Sequence, residues 1–245
     1  MMDTLDTSVA PHPAPPSGQG DESGLTASKG FLGLAVALVG GVAAVLLVTV
    51  VFAAAGVQDI QDNHAFEFVA AFVSDFVLFA AAWFITAETG GPTAWKLGFR
   101  RFAPSAFGWA ILAFVVYLAL ATIYTVLFNP PKDNLPDQLG ANDSTLLAVI
   151  TGVFVIGIAP VIEETFFRGF LFQSLRSSWG VWLAAPASGV IFSAVHVAPD
   201  KFVQLAILGT ALAFVFHKTR SIWPCISLHA LNNTLAFIAL LAVKH

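Results

Sequence analysis

Three stretches in the second half of the chain carry ionisable or amide side chains among residues that are otherwise apolar. The first reads Pro160-Val161-Ile162-Glu163-Glu164-Thr165-Phe166-Phe167-Arg168-Gly169. The second is Phe192-Ser193-Ala194-Val195-His196, and the third is His229-Ala230-Leu231-Asn232-Asn233. A carboxylate can take a proton from water, an imidazole can share that task, and imidazole or amide N–H groups can donate to a developing oxyanion. These are the parts of a hydrolytic site. Successive residues of a helix lie about 100° apart, so Glu163 and Glu164 point to neighbouring faces. Glu164 and Arg168 stand at i and i+4 and can meet on one face. The guanidinium then neutralises Glu164 and leaves Glu163 as the free carboxylate, aimed into the protein. Pro160 removes a backbone hydrogen bond just before the pair and can open the helix there.

Each stretch also has a plain structural reading. Glu164 and Arg168 could be a buried ion pair, His196 a satisfied helix-end residue, and His229 with Asn233 an interhelical hydrogen-bonding pair. Taken together they weigh differently. An ionisable group at the centre of a membrane helix costs about 2.5–3.5 kcal/mol on insertion scales. Three apolar helices would each carry that cost separately, whereas one shared polar pocket satisfies all of the groups.

The elements that position these residues are hydrophobic runs. The chain has 245 residues, of which 57% are hydrophobic and 11% charged, with a mean hydropathy of +0.81. Soluble domains carry about 25% charged residues. The surplus apolar surface calls for lipid as solvent. Crossing about 30 Å of hydrocarbon takes about 20 apolar residues. Seven runs qualify: 31–57, 65–87, 107–128, 144–175, 181–197, 202–216 and 222–243. The sixth is the shortest. They are too long for barrel strands, which alternate over about 10 residues. The expected fold is an all-α, polytopic membrane bundle of about seven transmembrane helices.

The first 29 residues differ, with Pro, Gly and Ser concentrated in 10–24, and read as a disordered tail. Residues 30–245 form the expected single helical domain, with the motifs in 145–243. Two connections are longer than the rest. Glu88–Ser105 mixes aromatic and basic side chains and suits the headgroup layer, while Asn129–Asp143 reads as an exposed polar loop. Lys96, Arg100, Arg101, Arg168, Arg176, Lys218 and Arg220 flank alternate ends of the runs. Basic residues favour the cytoplasmic side, which places the N-terminus there, in a cell membrane. Trp83, Trp95, Trp109 and Trp223 fall near run ends, as an aromatic belt does. A net charge of -4 with no long basic stripe excludes nucleic acid as partner. The single cysteine, Cys225, excludes an intrachain disulfide and a multi-cysteine metal site and reads as a small buried side chain. Asp75 reads as interior-facing and hydrogen-bonded, His64 as a loop residue, His217 as interfacial, and His12 and His245 as terminal.

The ordered set Glu163-Glu164-Thr-Phe-Phe-Arg168, Phe192-Ser-Ala-Val-His196 and His229-Ala-Leu-Asn-Asn233 resembles the CPBP family of intramembrane endopeptidases. This family, also called the CAAX-protease, bacteriocin-processing or ABI family, includes the eukaryotic CAAX prenyl endopeptidase. The resemblance covers about residues 146–243. It implies that Glu163 is the general base acting with His196 on water, that Glu164 and Arg168 are its paired support, and that His229 and Asn233 hold the carbonyl oxygen. The family is often labelled metalloprotease. If a zinc ion is present, Glu163, His196 and His229 are its candidate ligands. There is no His-Glu-x-x-His, and the two histidines lie on separate runs, so the expectation leans to water activated without metal. The implied substrate is a membrane-associated or lipidated protein or peptide, met at the lipid bilayer. Two other classes compete: a proton-coupled transporter, and a non-catalytic scaffold or immunity protein on the same fold. A transporter usually shows an internal repeat, and the first half of this chain holds no second copy of the motifs.

Overall fold

Backbone N–H and C=O groups in hydrocarbon must be satisfied within the chain, which makes the helix the element open to these runs. The computed structural model describes residues 23–129 and 145–242. Among them α1 spans Ala27–Ala54, α2 His64–Ala87, the short α3 Thr93–Lys96 and α4 Ser105–Phe128. A continuous helical run, Thr145–Val195, is 51 residues long. At about 1.5 Å per residue it would be more than twice as long as the hydrocarbon core is thick. It does not run straight. Gly180 sits at φ 70°, ψ 173°, outside helical geometry, and divides it into α5 (145–179) and α6 (181–195). A side chain would strain that backbone, and glycine removes the strain. Then follow α7, Phe202–Thr219, and α8, Trp223–Ala242.

Among the described residues the bundle therefore has the seven long helices expected, with α3 lying between α2 and α4. Five helical runs among the described residues are long and apolar enough to cross a membrane, with Thr145–Val195, kinked at Gly180, counting as one. Large apolar side chains face outward along α1 and α4, such as Val39 at 72% and Val126 at 76% exposure. Exposed apolar surface on that scale suits lipid, and the chain is a multi-pass integral membrane protein.

Local signals set the helix starts. The Thr26 side chain accepts from the Lys29 backbone N–H at 3.4 Å, and Asn63 Oδ1 accepts from that of Phe66 at 3.1 Å. Both satisfy an orphan donor of a first turn. These caps correct two expectations. Leu25 is 2% exposed and α1 begins at Ala27, so order starts before residue 30; an apolar side chain within reach of the bundle outweighs the composition around it. His64 is the first residue of α2 rather than a loop residue. The expected tail over 1–22, the polar loop over 130–143, His12 and His245 lie outside the described residues.

The core gathers where α5, α6 and α7 meet, around Phe166, Phe167, Phe170, Phe192 and Phe216, all fully or nearly fully buried. Two glycines bring α6 and α7 together. A Cβ on Gly189 would stand 2.5 Å from Ala206 O and 2.7 Å from Thr210 N, and one on Gly209 would stand 2.7 Å from Gly189 Cα. Small residues at such crossings let backbones approach, which is how helices associate where no water is displaced. Exchanging glycine for alanine favours a helix by about 1 kcal/mol. Here the blocking atoms are backbone and cannot swing away, so the clash wins. Gly189→Ala is expected to destabilise by about 1–3 kcal/mol, read as a lower Tm in detergent. An unchanged or raised Tm would contradict the close crossing.

Candidate active site

Pro160 has no N–H, so the helix before it cannot close its regular ladder. The chain widens there into a π-helical stretch, Val153–Ile158, and again after the two glutamates, Thr165–Phe172. Widened turns of this kind concentrate at functional sites, where they re-aim side chains without ending a helix. Between them stand Glu163 and Glu164.

Glu164 and Arg168 meet as their spacing implies. Arg168 Nη1 donates to Glu164 Oε1 at 2.6 Å, and both side chains are completely buried. Arg168 Nη2 donates to the Gly209 carbonyl of α7 at 3.3 Å. The same Glu164 oxygen also accepts from His229 Nδ1 of α8 at 2.8 Å. A carboxylate only accepts, so Nδ1 carries the proton and Nε2 turns to the other side of the ring. There it faces Glu163 Oε2 at 3.9 Å. His196 caps the end of α6 and repeats this arrangement. Its Nδ1 donates to the Phe192 carbonyl at 2.6 Å, and its Nε2 faces Glu163 Oε2 at 3.6 Å. Two imidazoles from different helices are thus oriented by their far nitrogens and converge on one carboxylate oxygen. Glu163 Oε2 itself is buried and makes no hydrogen bond among the described residues.

Exposure divides the carboxylates. The side chain of Glu163 is 13% and that of His196 25% exposed, against 0% for Glu164 and Arg168 and 4% for His229. The ion pair is sealed in the bundle, while Glu163 and His196 can be reached. Asn233, the last motif residue, donates from Nδ2 to the Val155 carbonyl at 2.9 Å and so ties α8 to the first π-helical stretch. All six expected residues, Glu163, Glu164, Arg168, His196, His229 and Asn233, lie on the three faces that meet here.

Phe192, which opens the second motif, is the hub of the site. It lies 4.5 Å from the Arg168 guanidinium carbon and packs on His196 and His229 at centroid distances of 4.5 and 5.7 Å. The ring stacks the cation and fixes both imidazoles. Sequence reasoning missed Gly209 O and Val155 O, since a backbone acceptor leaves no mark in side-chain spacing. Gly169 could have been noticed: a Cβ there would run into the Leu97 carbonyl, so the loop after α3 presses on α5 directly beside Arg168. Asp75 is half-buried on α2 and lies near enough to Glu163 for their charges to act on each other. Cys225 is buried, with Sγ directed at the Leu212 carbonyl at 3.4 Å. No group of three or more His, Cys, Asp or Glu side chains among the described residues is placed to hold a metal ion.

Seven helices around a glutamate–histidine pocket define a multi-pass membrane protein with the parts of a hydrolytic site. Residues 144–235 match the family described as type II CAAX prenyl endopeptidase Rce1-like. The candidate membrane peptidase YdiL of Bacillus subtilis (strain 168) is 27% identical over 136 residues, 53% of this chain and 54% of that protein. An uncharacterized 24.3 kDa protein of Escherichia coli is 30% identical over 98 residues, 37% of this chain and 45% of that one. The chain spans about half the length of the curated relatives it matches. No solved structure matches. The matched segment holds all three motifs, and over it the chain is similar to the type II CAAX prenyl endopeptidase family.

Proposed function

We propose that the protein is an intramembrane endopeptidase that hydrolyses a peptide bond of a membrane-associated or lipidated protein or peptide. The observation that carries this reading is Glu163 Oε2, buried, without a hydrogen bond, and faced by His196 Nε2 at 3.6 Å and His229 Nε2 at 3.9 Å. A buried carboxylate oxygen left without a donor is costly, and a substrate water supplies one. One water can contact both Glu163 and His196. The two acceptors draw on its two hydrogens and polarise it toward a scissile carbonyl. Glu163 takes the proton as the water oxygen bonds to the carbonyl carbon. The oxyanion so formed is met by the Asn233 amide and by the imidazole of His229, which Glu164 orients through Nδ1. Asn233 has two N–H bonds and uses one on Val155. Glu163 then passes its proton to the leaving amine as the C–N bond breaks. Glu164, Arg168 and Phe192 hold the histidines in place, as supporting shells do.

In this reading the water is activated without metal. Active protein is expected to purify without stoichiometric zinc, and 1,10-phenanthroline is expected to change neither turnover nor Tm. The check is metal analysis alongside cleavage of a panel of lipidated and unlipidated peptides. One equivalent of zinc, with activity lost on chelation and restored by zinc, would overturn the metal-free step and make Glu163, His196 and His229 ligands. A site assembled from three helices would then also lose stability on chelation.

The basic residues at one end of the bundle support a cytoplasmic N-terminus in a cell membrane, with cleavage at the cytoplasmic edge. Cysteines placed by substitution before α1 and tested with an impermeant thiol reagent, in a Cys225→Ala background, report this orientation.

A further inference from the structure

The segment between α2 and α4 forms a second built feature, away from the glutamates. It opens a groove of about 520 Å³ lined by Phe99, Arg100, Arg101, Phe102 and Trp223. Its backbone is fixed at several points. Ile222 N donates to Gly98 O at 2.9 Å, and Ser221 Oγ to Arg100 O at 2.8 Å, which bind the segment to the start of α8. Gly98 holds φ 94°, and a Cβ there would meet the Phe216 ring, so the close approach depends on glycine. The Arg100 guanidinium lies 3.7 Å above the Trp95 ring, with its Nε donating to Trp95 O at 2.9 Å. Phe99 packs edge-on against Trp223 at 5.7 Å. Arg101 is exposed beside them. The groove is therefore a shallow, open surface lined by two arginines and three aromatic rings.

Its place narrows the ligand. It sits where α4 begins and α8 begins, level with Trp109 near the start of α4, over whose ring Lys218 reaches at 5.0 Å. Arg176, Lys218 and Arg220 gather around His217 at the same end. The opposite end carries Asp59, Asp62, Glu67 and Asp200, with Lys201 beside the last. A membrane helix end flanked by aromatic and basic residues lies at the headgroups, where lipid phosphate is the most abundant anion. Arginine's planar fork suits phosphate, and aromatic rings suit the glycerol and upper chain beside it.

We propose that this groove binds an anionic phospholipid, with Arg100 and Arg101 on the phosphate and Phe99, Phe102 and Trp223 against the glycerol and first methylenes. The proposal does not depend on peptidase activity.

The test uses the full chain in a neutral detergent, titrated with phosphatidylglycerol or phosphatidylcholine of matched chains, with bound lipid counted by native mass spectrometry. One phosphatidylglycerol is expected to be retained, with phosphatidylcholine at least tenfold weaker. Arg101→Gln is expected to weaken phosphatidylglycerol about fivefold, the effect of one basic residue near an anionic surface. Arg100→Gln combined with Arg101→Gln is expected to remove retention. Should the double variant lose its fold because Arg100 braces Trp95, the single variant still decides. Equal affinity of wild type and Arg101→Gln, or of the two lipids, would overturn the proposal. So would displacement of the lipid by millimolar inorganic phosphate or by a soluble acidic peptide, which would make the groove a site for a free anion or for a protein segment.

Discussion

Glu163→Gln is expected to lower turnover by about 10²–10⁴-fold, the range that general-base catalysis contributes, while leaving Tm within the scatter of the wild type. The amide keeps the size and shape of the carboxylate but cannot take a proton from water. Glu163 Oε2 makes no hydrogen bond among the described residues that the amide would lose. Its contacts with the two histidines, at 3.6 and 3.9 Å, are too long to be direct hydrogen bonds. The fold therefore has little to lose and the chemistry much. Peptide cleavage and melting measured on the same preparation separate the two. Retained activity would remove Glu163 from the mechanism and leave the pocket as a structural network or proton path.

Arg168→Ala should act in the opposite way, through stability first. Arg168 and Glu164 are both completely sealed from solvent. Removing the guanidinium leaves Glu164 with His229 as its remaining partner, opens a void beside the Phe192 ring and frees the Gly209 carbonyl. Breaking a buried pair by deleting one partner costs about 3–5 kcal/mol. A large fall in Tm and in the yield of folded protein is the expected result. Pairing Arg168→Met with Glu164→Gln removes both charges and should recover a large part of the lost stability, though not activity, since His229 loses its anionic partner. A single variant that melts like the wild type would mean that the pair contributes nothing to the fold.

Much of this site was legible in the sequence because its information is local. Charge in an apolar run marks a residue that needs a partner, and the i, i+4 spacing of Glu164 and Arg168 names that partner. The seven helices followed from run length for the same reason. What escaped is set by tertiary contact. The bond from His229 to Glu164 joins residues 65 apart in the chain, and no spacing rule reaches that far. Phe192 stands in the second motif, yet its place as the hub shows only once the rings around it are seen. Nor does composition show where the tail ends, because Leu25 is buried by a bundle formed much later in the chain. The Asn233 amide, read as an oxyanion donor, also proves to be a strut from α8 to Val155.

The two π-helical stretches flanking the glutamates set the rotational phase of α5. A π turn holds one residue more than an α turn, in effect a single-residue insertion absorbed without breaking the helix. A residue added to a regular α-helical turn would instead rotate everything beyond it by about 100°. The face that Glu163 presents to the histidines is thus tied to the face that Phe154 presents to Phe68 and Phe72 of α2 by a count of residues as well as by packing. Shortening Val153–Ile158 by one residue would rewind it to an ordinary helix and keep its composition and hydropathy almost unchanged. The same deletion in a regular α-helical turn would instead swing the carboxylate about a quarter-turn away from His196. For this protein the length of the regular helix between its widened turns is itself part of the candidate site's geometry, in a region where most substitutions would pass as conservative.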